Sequence, residues 1–164
     1  MRAISNALWR IGLRGAYRLL RVAWWLRHPE VHGAYVAVWR DDRLLLVRNS
    51  YRRGETVPCG AIGRTETPRR AAARELAEEV GIVVPEDELV AAGELEVEFE
   101  GKRDHAHFFE LRLARDVPVR VDEREVVWAE FVPRGRLPER PLVPHVRGYL
   151  ERLSAAEAGS KSAS

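Results

Sequence analysis

Between Thr67 and Gly81 the chain carries a full set of signals for one short helix. Thr67 is a good N-cap, and Pro68 suits the first helical position. Residues 69–80 hold no further breaker and are rich in Ala, Arg, Glu and Leu, all strong helix formers. Gly81 can take the left-handed conformation that ends a helix, and Ile82 can fold back as its hydrophobic contact. A helix over 67–80, about three and a half turns long, follows. At roughly 100° per residue, Glu75, Glu78 and Glu79 share one arc. Ala72, Ala73, Leu76 and Val80 fill the neighbouring arc and are expected to face a core.

Carboxylates at i, i+3 and i+4 repel one another, and Arg74, four residues before Glu78, offsets part of this. Such a face is either solvated acidic surface or a cation site. Hard divalent cations take oxygen ligands, and Mg²⁺ uses only one or two carboxylates with waters and substrate phosphates. Three carboxylates could therefore seat more than one ion. The surrounding spacing bears on the choice. Gly60 comes first and Glu66 next, followed by Arg74-Glu75-Leu76, Glu78-Glu79 and Gly81-Ile82, nine positions over 23 residues.

In that spacing the chain resembles the Nudix hydrolases, metal-dependent enzymes that cut pyrophosphate bonds. The resemblance implies Mg²⁺ or Mn²⁺ as cofactor, with Glu75, Glu78, Glu79 and the Gly60 carbonyl as metal ligands. It implies a structural ion pair between Glu66 and Arg74, and Glu75 or Glu79 as a proton acceptor. Relatives also use a glutamate in the loop before a late Trp-containing strand. In the segment from Asp122 to Trp128, Glu123 is the first choice and Glu125 the second, against a plain solvated loop charge. Arg48, Arg52 and Arg64 are the candidate phosphate contacts, with Arg53, Lys102, Arg103 and His105 further basic groups nearby. The implied activity is hydrolysis of a nucleoside diphosphate linked to another moiety, such as ADP-ribose or a nucleotide sugar. The alternative is a nucleotide-sensing domain without turnover. Departures at Cys59, Gly63 and Thr65, where Gly, Glu and Gly are usual, bear on that choice.

The same resemblance implies an α/β fold, a Nudix-type α/β/α sandwich with a mixed sheet, over residues 31–153. The local pattern agrees. Gly33–Trp39 and Leu44–Val47 read as a hairpin turned at Asp41-Asp42. Leu95, Val97 and Phe99 alternate with glutamates, and His105–Leu113 returns antiparallel. Val126–Val132 is a further strand, Pro144–Leu153 a closing helix. Residues 154–164 are small and polar and are expected to be disordered. Trp128 serves either the core or a stacking platform. His105 and His107 share a strand face without visible metal partners.

Residues 1–30 stand apart as a basic, Trp-rich amphipathic helix. They hold six arginines and one glutamate, whereas the remainder holds 21 basic and 24 acidic residues. The mildly acidic body argues against coating nucleic acid. Arginine interrupts the apolar residues too often for a bilayer span or a signal peptide. Residues 5–27 are expected either to pack on the domain or on a second copy in a homodimer, or to contact a membrane periphery; an unprocessed targeting role is the third reading. Cys59 is the single cysteine, so no intrachain disulfide forms; a reducing, cytoplasmic compartment fits. Its thiol is either reactive or a small side chain packed in a tight loop.

Overall fold

The sheet forms around one strand that is buried on both faces. In β1 (Glu30–Arg40), Ala34, Val36 and Val38 enter one core, and Tyr35, Ala37 and Trp39 enter another. This two-sided burial explains why its sequence alternates so imperfectly. The computed structural model describes residues 2–121 and 123–162. Met1, Asp122, Ala163 and Ser164 lie outside the described residues.

Strand β2 (Arg43–Asn49) folds back on the end of β1. Strand β3 (Cys59–Ala61) pairs antiparallel with its beginning, Gly60 opposite Ala34. The same edge of β1 is thus shared by two strands. On the other edge lies β5 (Lys102–Leu113), parallel to β1 from Glu30↔Arg103 to Arg40↔Leu113. Strand β4 (Val90–Phe99) pairs antiparallel with β5, and β6 (Val126–Pro133) with β2. The order is β4-β5-β1-β2-β6 with β3 on β1. One parallel pair among antiparallel ones makes the sheet mixed.

Helix α2 (Pro68–Val80) covers one face through Ala71, Ala72, Leu76 and Val80. Thr67 accepts a hydrogen bond from the Arg70 N–H at 3.2 Å, and Gly81 closes the helix at φ 69°. Helix α3 (Pro144–Ser162) covers the other face through Val146 and Tyr149. The molecule is the expected α/β/α sandwich. One boundary differs: α3 continues past Leu153 to Ser162, through residues expected to be disordered. Its Ala and Glu residues there are strong helix formers. Arg134 also grips Glu157 with two hydrogen bonds of 2.7 Å.

Helix α1 (Arg2–Arg27) belongs to neither layer. Its residues Asn6, Arg10, Leu13, Tyr17 and Trp24, spaced three, four or seven apart, lie on its half-buried side. With Arg14, this stripe reaches Ser50 at the end of β2, Glu100 in the turn between β4 and β5, and Lys102 at the start of β5.

Candidate active site

The loop before α2 and the helix itself are tied by one arginine. Arg74 donates twice to the Glu66 carboxylate, at 3.1 Å from Nε and 3.1 Å from Nη2. It also donates to the Ala61 carbonyl at 3.1 Å, to Glu75 at 2.6 Å and to Glu78 at 3.2 Å. The Gly63 N–H donates to Glu66 at 3.1 Å, so the loop is fastened at both ends of one carboxylate.

The three helix glutamates differ sharply in burial. Glu79 is 4% exposed, accepting from the Cys59 N–H at 3.0 Å and from Asn49 Nδ2 at 3.3 Å. Burial pushes its carboxyl up to about 8, and the charges of Glu75 and Glu125 add to this. Burial likewise raises Glu75, with Arg74 opposing. Its carboxylate occupies the place a Cβ on residue 60 would take, so any side chain there would displace it. Glu78 is exposed and turned to Arg74.

Glu125 faces this pair, lining the same small cleft as Glu75, Glu78 and Glu79. Glu123, the first choice from the sequence, instead extends its carboxylate to Asn6 of α1 at 3.5 Å, from a backbone at φ 62°. Both glutamates precede β6, which begins at Val126, and the left-handed turn at Glu123 sends its side chain away from that of Glu125.

The candidate basic residues also separate. Arg48 is placed away from this cleft, donating to Glu55 at 2.9 Å and lying over the Trp128 ring. Glu55 is 1% exposed and also accepts from Arg140 at 2.7 and 2.6 Å. Burial alone would raise its carboxyl, but the two arginines hold it below the usual range. Both guanidinium groups also lie against the Trp128 ring, at 5.0 and 5.3 Å from its centre. Arg64 is exposed in the turn after β3. Arg52 lines not this cleft but the cavity next to it, donating to the Tyr17 hydroxyl at 3.0 Å. The Cys59 thiol is pushed up to about 12 by burial and by the Glu79 charge, which suits a packed side chain rather than a nucleophile.

Beside the acidic cleft lies a larger cavity of about 520 Å³. One wall is α1, through Leu13, Tyr17 and Trp24; the opposite wall includes Tyr35, Cys59 and Gly60. Leu13 and Glu125 line both spaces. The cavity floor holds a buried polar cluster that sequence alone did not disclose. Asp104 pairs with Lys102 at 2.8 Å, lies 3.4 Å from His145 Nε2 and accepts from the Tyr35 hydroxyl at 3.2 Å. Burial would raise Asp104, yet His145 and Lys102 hold it at about 2. His145 comes from α3, some 40 residues beyond Asp104, so no local signal could have joined them.

Whether the residues suit a divalent ion can be judged from the donors. Among the described residues, no group of three or more His, Cys, Asp or Glu is arranged to hold a metal ion. Glu75 and Glu79 do suit one: both are oxygen donors, crowded with Glu125 so that negative charge raises each of them. A cation there would relieve that repulsion.

The family model for the NUDIX domain matches residues 30–153, and the chain belongs to the Nudix family. It is a Nudix-type pyrophosphohydrolase. No curated protein matches it significantly. Solved structures do. A MutT protein from Methanosarcina mazei Go1 aligns at TM-score 0.67 and 22% identity, over 79% of this chain and 96% of that one. The NUDIX domain of Shewanella oneidensis NrtR, complexed with ADP ribose, aligns at TM-score 0.65 and 16% identity, over 77% and 88%. A bifunctional NMN adenylyltransferase/ADP ribose pyrophosphatase from Francisella tularensis, complexed with AMP and a manganese ion, aligns at 0.66 and 15%, over 88% and 47%. At these identities the similarity establishes the fold.

Proposed function

We propose that the protein hydrolyses a pyrophosphate bond in a nucleoside diphosphate linked to another moiety, using Mg²⁺ or Mn²⁺. The carrying observation is the adjacency of two spaces under α1: an acidic cleft at Glu75, Glu79 and Glu125, and a larger aromatic cavity with Arg52 and Lys102. The first suits a metal and the diphosphate, the second a nucleoside or its appended group. The cavity volume is in the range of small-molecule sites. ADP ribose and AMP in two structural neighbours support the substrate class, and manganese in one supports the cofactor.

Glu75 and Glu79 would hold the ion, with the Gly60 carbonyl beside them. When bound, a divalent ion neutralises phosphate charge and activates water. Arg52, already directed into the cavity by Tyr17, supplies a cation for phosphate oxygen. Glu125, at the boundary of the two spaces, would accept the proton of the attacking water. Helix α1 covers the cleft and limits bulk water.

A nucleotide-sensing role without turnover is the second reading. It is favoured by the altered loop, where Cys59, Gly63 and Thr65 replace the usual Gly, Glu and Gly. A panel of nucleotide sugars, ADP-ribose and dinucleoside polyphosphates with Mg²⁺ or Mn²⁺ separates the two. Release of nucleoside monophosphate is expected. Ligand-induced thermal shifts without product would replace hydrolysis by sensing.

A further inference from the structure

Helix α1 is apolar on two opposite sides, and the cleft uses only one of them. Leu13, Tyr17 and Trp24 form the inner stripe. On the far side Ile11, Gly15, Leu19, Val22 and Leu26 recur at helical spacing. The four large residues among them are 65, 74, 58 and 68% exposed. Among the described residues, nine large hydrophobic side chains are exposed, and seven belong to α1. An outer stripe this continuous is unlike the scattered exposed residues of an ordinary surface.

The charges beside the stripe decide its occupant. Arg14, Arg18 and Arg21 lie along one margin, beside Trp25, which is 67% exposed. The helix has six arginines and no Asp or Glu. With no Asp or Glu on the helix, a second copy packing on this stripe would bring no acidic partner to the arginines from its own helix, whereas helix pairs rely on opposite charges there. An anionic lipid surface meets the same margin favourably. The stripe is also of the right kind to lie in an interface rather than cross it. None of the described helices is long and apolar enough to cross a membrane. Tryptophan beside arginine suits the headgroup depth.

We propose that the outer face of α1 docks the protein on an anionic bilayer, the helix lying in the headgroup plane with the catalytic cleft held beneath it. No residue assigned to the cleft lies on the outer stripe, so docking and hydrolysis are separable.

The full-length protein is sedimented with vesicles of phosphatidylcholine alone and with about 30% phosphatidylglycerol. Pelleting with the anionic vesicles is expected, at least about tenfold weaker with neutral ones, with a blue shift of tryptophan emission and a loss on adding salt. Leu19→Glu with Val22→Glu is expected to abolish pelleting while melting as wild type, since both side chains are exposed. Arg18→Glu, which leaves the stripe intact, is expected to weaken it. Wild-type protein left in the supernatant of both vesicles would overturn the proposal, as would equal pelleting with both. A dimer that the Leu19/Val22 variant disperses, without vesicle binding, would assign the stripe to a second copy instead.

Discussion

Helices α1 and α2 both frame the cleft, but they are held in opposite ways. Helix α2 is 13 residues long, capped at both ends, and buries Ala71, Ala72, Leu76 and Val80 in a core. Helix α1 has twice that length, and apart from its close backbone approach to Gly101 its hold on the rest of the molecule is largely through polar and aromatic tips. Arg14 donates to the Ser50 carbonyl at 2.9 Å, Tyr17 hydrogen-bonds Glu100, Arg21 lies 3.8 Å from Glu100, and Lys102 lies over the Trp24 ring. A helix fixed by caps and core can carry carboxylates whose positions matter to fractions of an ångström. A helix fixed by tips can cover a site, but its seat is set by the partner surface. Catalytic chemistry is therefore expected to be sensitive along α2, and α1 to govern access and docking.

The largest effect is expected at the buried end of the α2 carboxylates. Glu75→Gln and Glu79→Gln are each expected to lower turnover about 10²–10⁴-fold, measured at saturating Mg²⁺. Glu79→Gln has a second signature. The folded carboxyl sits at about 8 against an ordinary 4.5. A raised carboxyl makes the fold lose stability as pH rises from 4.5 towards 8, because the folded state keeps a proton the unfolded chain has shed. The metal-free variant lacks that slope. It is expected to melt with wild type near pH 5 and above it at pH 8. Turnover near wild type in both variants would break the assignment of α2 as the catalytic helix.

Gly60→Ala is expected to come next. The new Cβ falls within the Glu75 carboxylate, which must move. Turnover is expected to fall about 10²-fold through misplacement of that carboxylate. A melt reduced with unchanged turnover would show that Glu75 has no positional role.

Arg74→Ala tests the fastening rather than the chemistry. Arg74 is about a third exposed, which discounts the electrostatic part of its ties. Losing the hydrogen bonds to Glu66, Glu75 and the Ala61 carbonyl is expected to cost about 1–3 kcal/mol in denaturant unfolding, with a fall in activity. An unchanged midpoint would mean that caps and core alone seat α2.

The contrast between the helices also sets what the sequence could disclose. Thr67, Pro68 and Gly81 act on their immediate neighbours, so α2 and its glutamate arc were legible to within a residue. The sandwich was legible because strand alternation and the nine-position spacing agree. Partners brought together by the fold were not. Arg48 went to Glu55 and Trp128 because Arg140, 85 residues from Glu55, completes that buried cluster. Glu125 rather than Glu123 enters the cleft because the loop before β6 turns through a left-handed residue at Glu123, which its composition does not announce. Helix α1 looked amphipathic in sequence, yet two apolar sides left open which one would face the domain.

The smallest effect is expected at the seat of α1. Tyr17 is half-buried; burial pushes its phenol up to about 12, with Arg52 opposing and Glu100 reinforcing, so it stays protonated at neutral pH. Its hydroxyl accepts from Arg52 and bonds to Glu100, joining α1 to the cavity wall. Tyr17→Phe keeps the ring against Trp24 and Tyr51 and removes only that link. A loss of about 0.5–1.5 kcal/mol is expected in the melt. Turnover at saturation is expected to stay within about twofold, because no α2 carboxylate is disturbed, while KM rises several-fold as Arg52 loses the group that aims it. The corresponding change on the outer side, Leu19→Glu with Val22→Glu, is expected to leave both kinetic constants alone. If Tyr17→Phe moves neither KM nor the melt, α1 does not rest on the cleft in solution, and access to the site is controlled by the sheet and its loops instead.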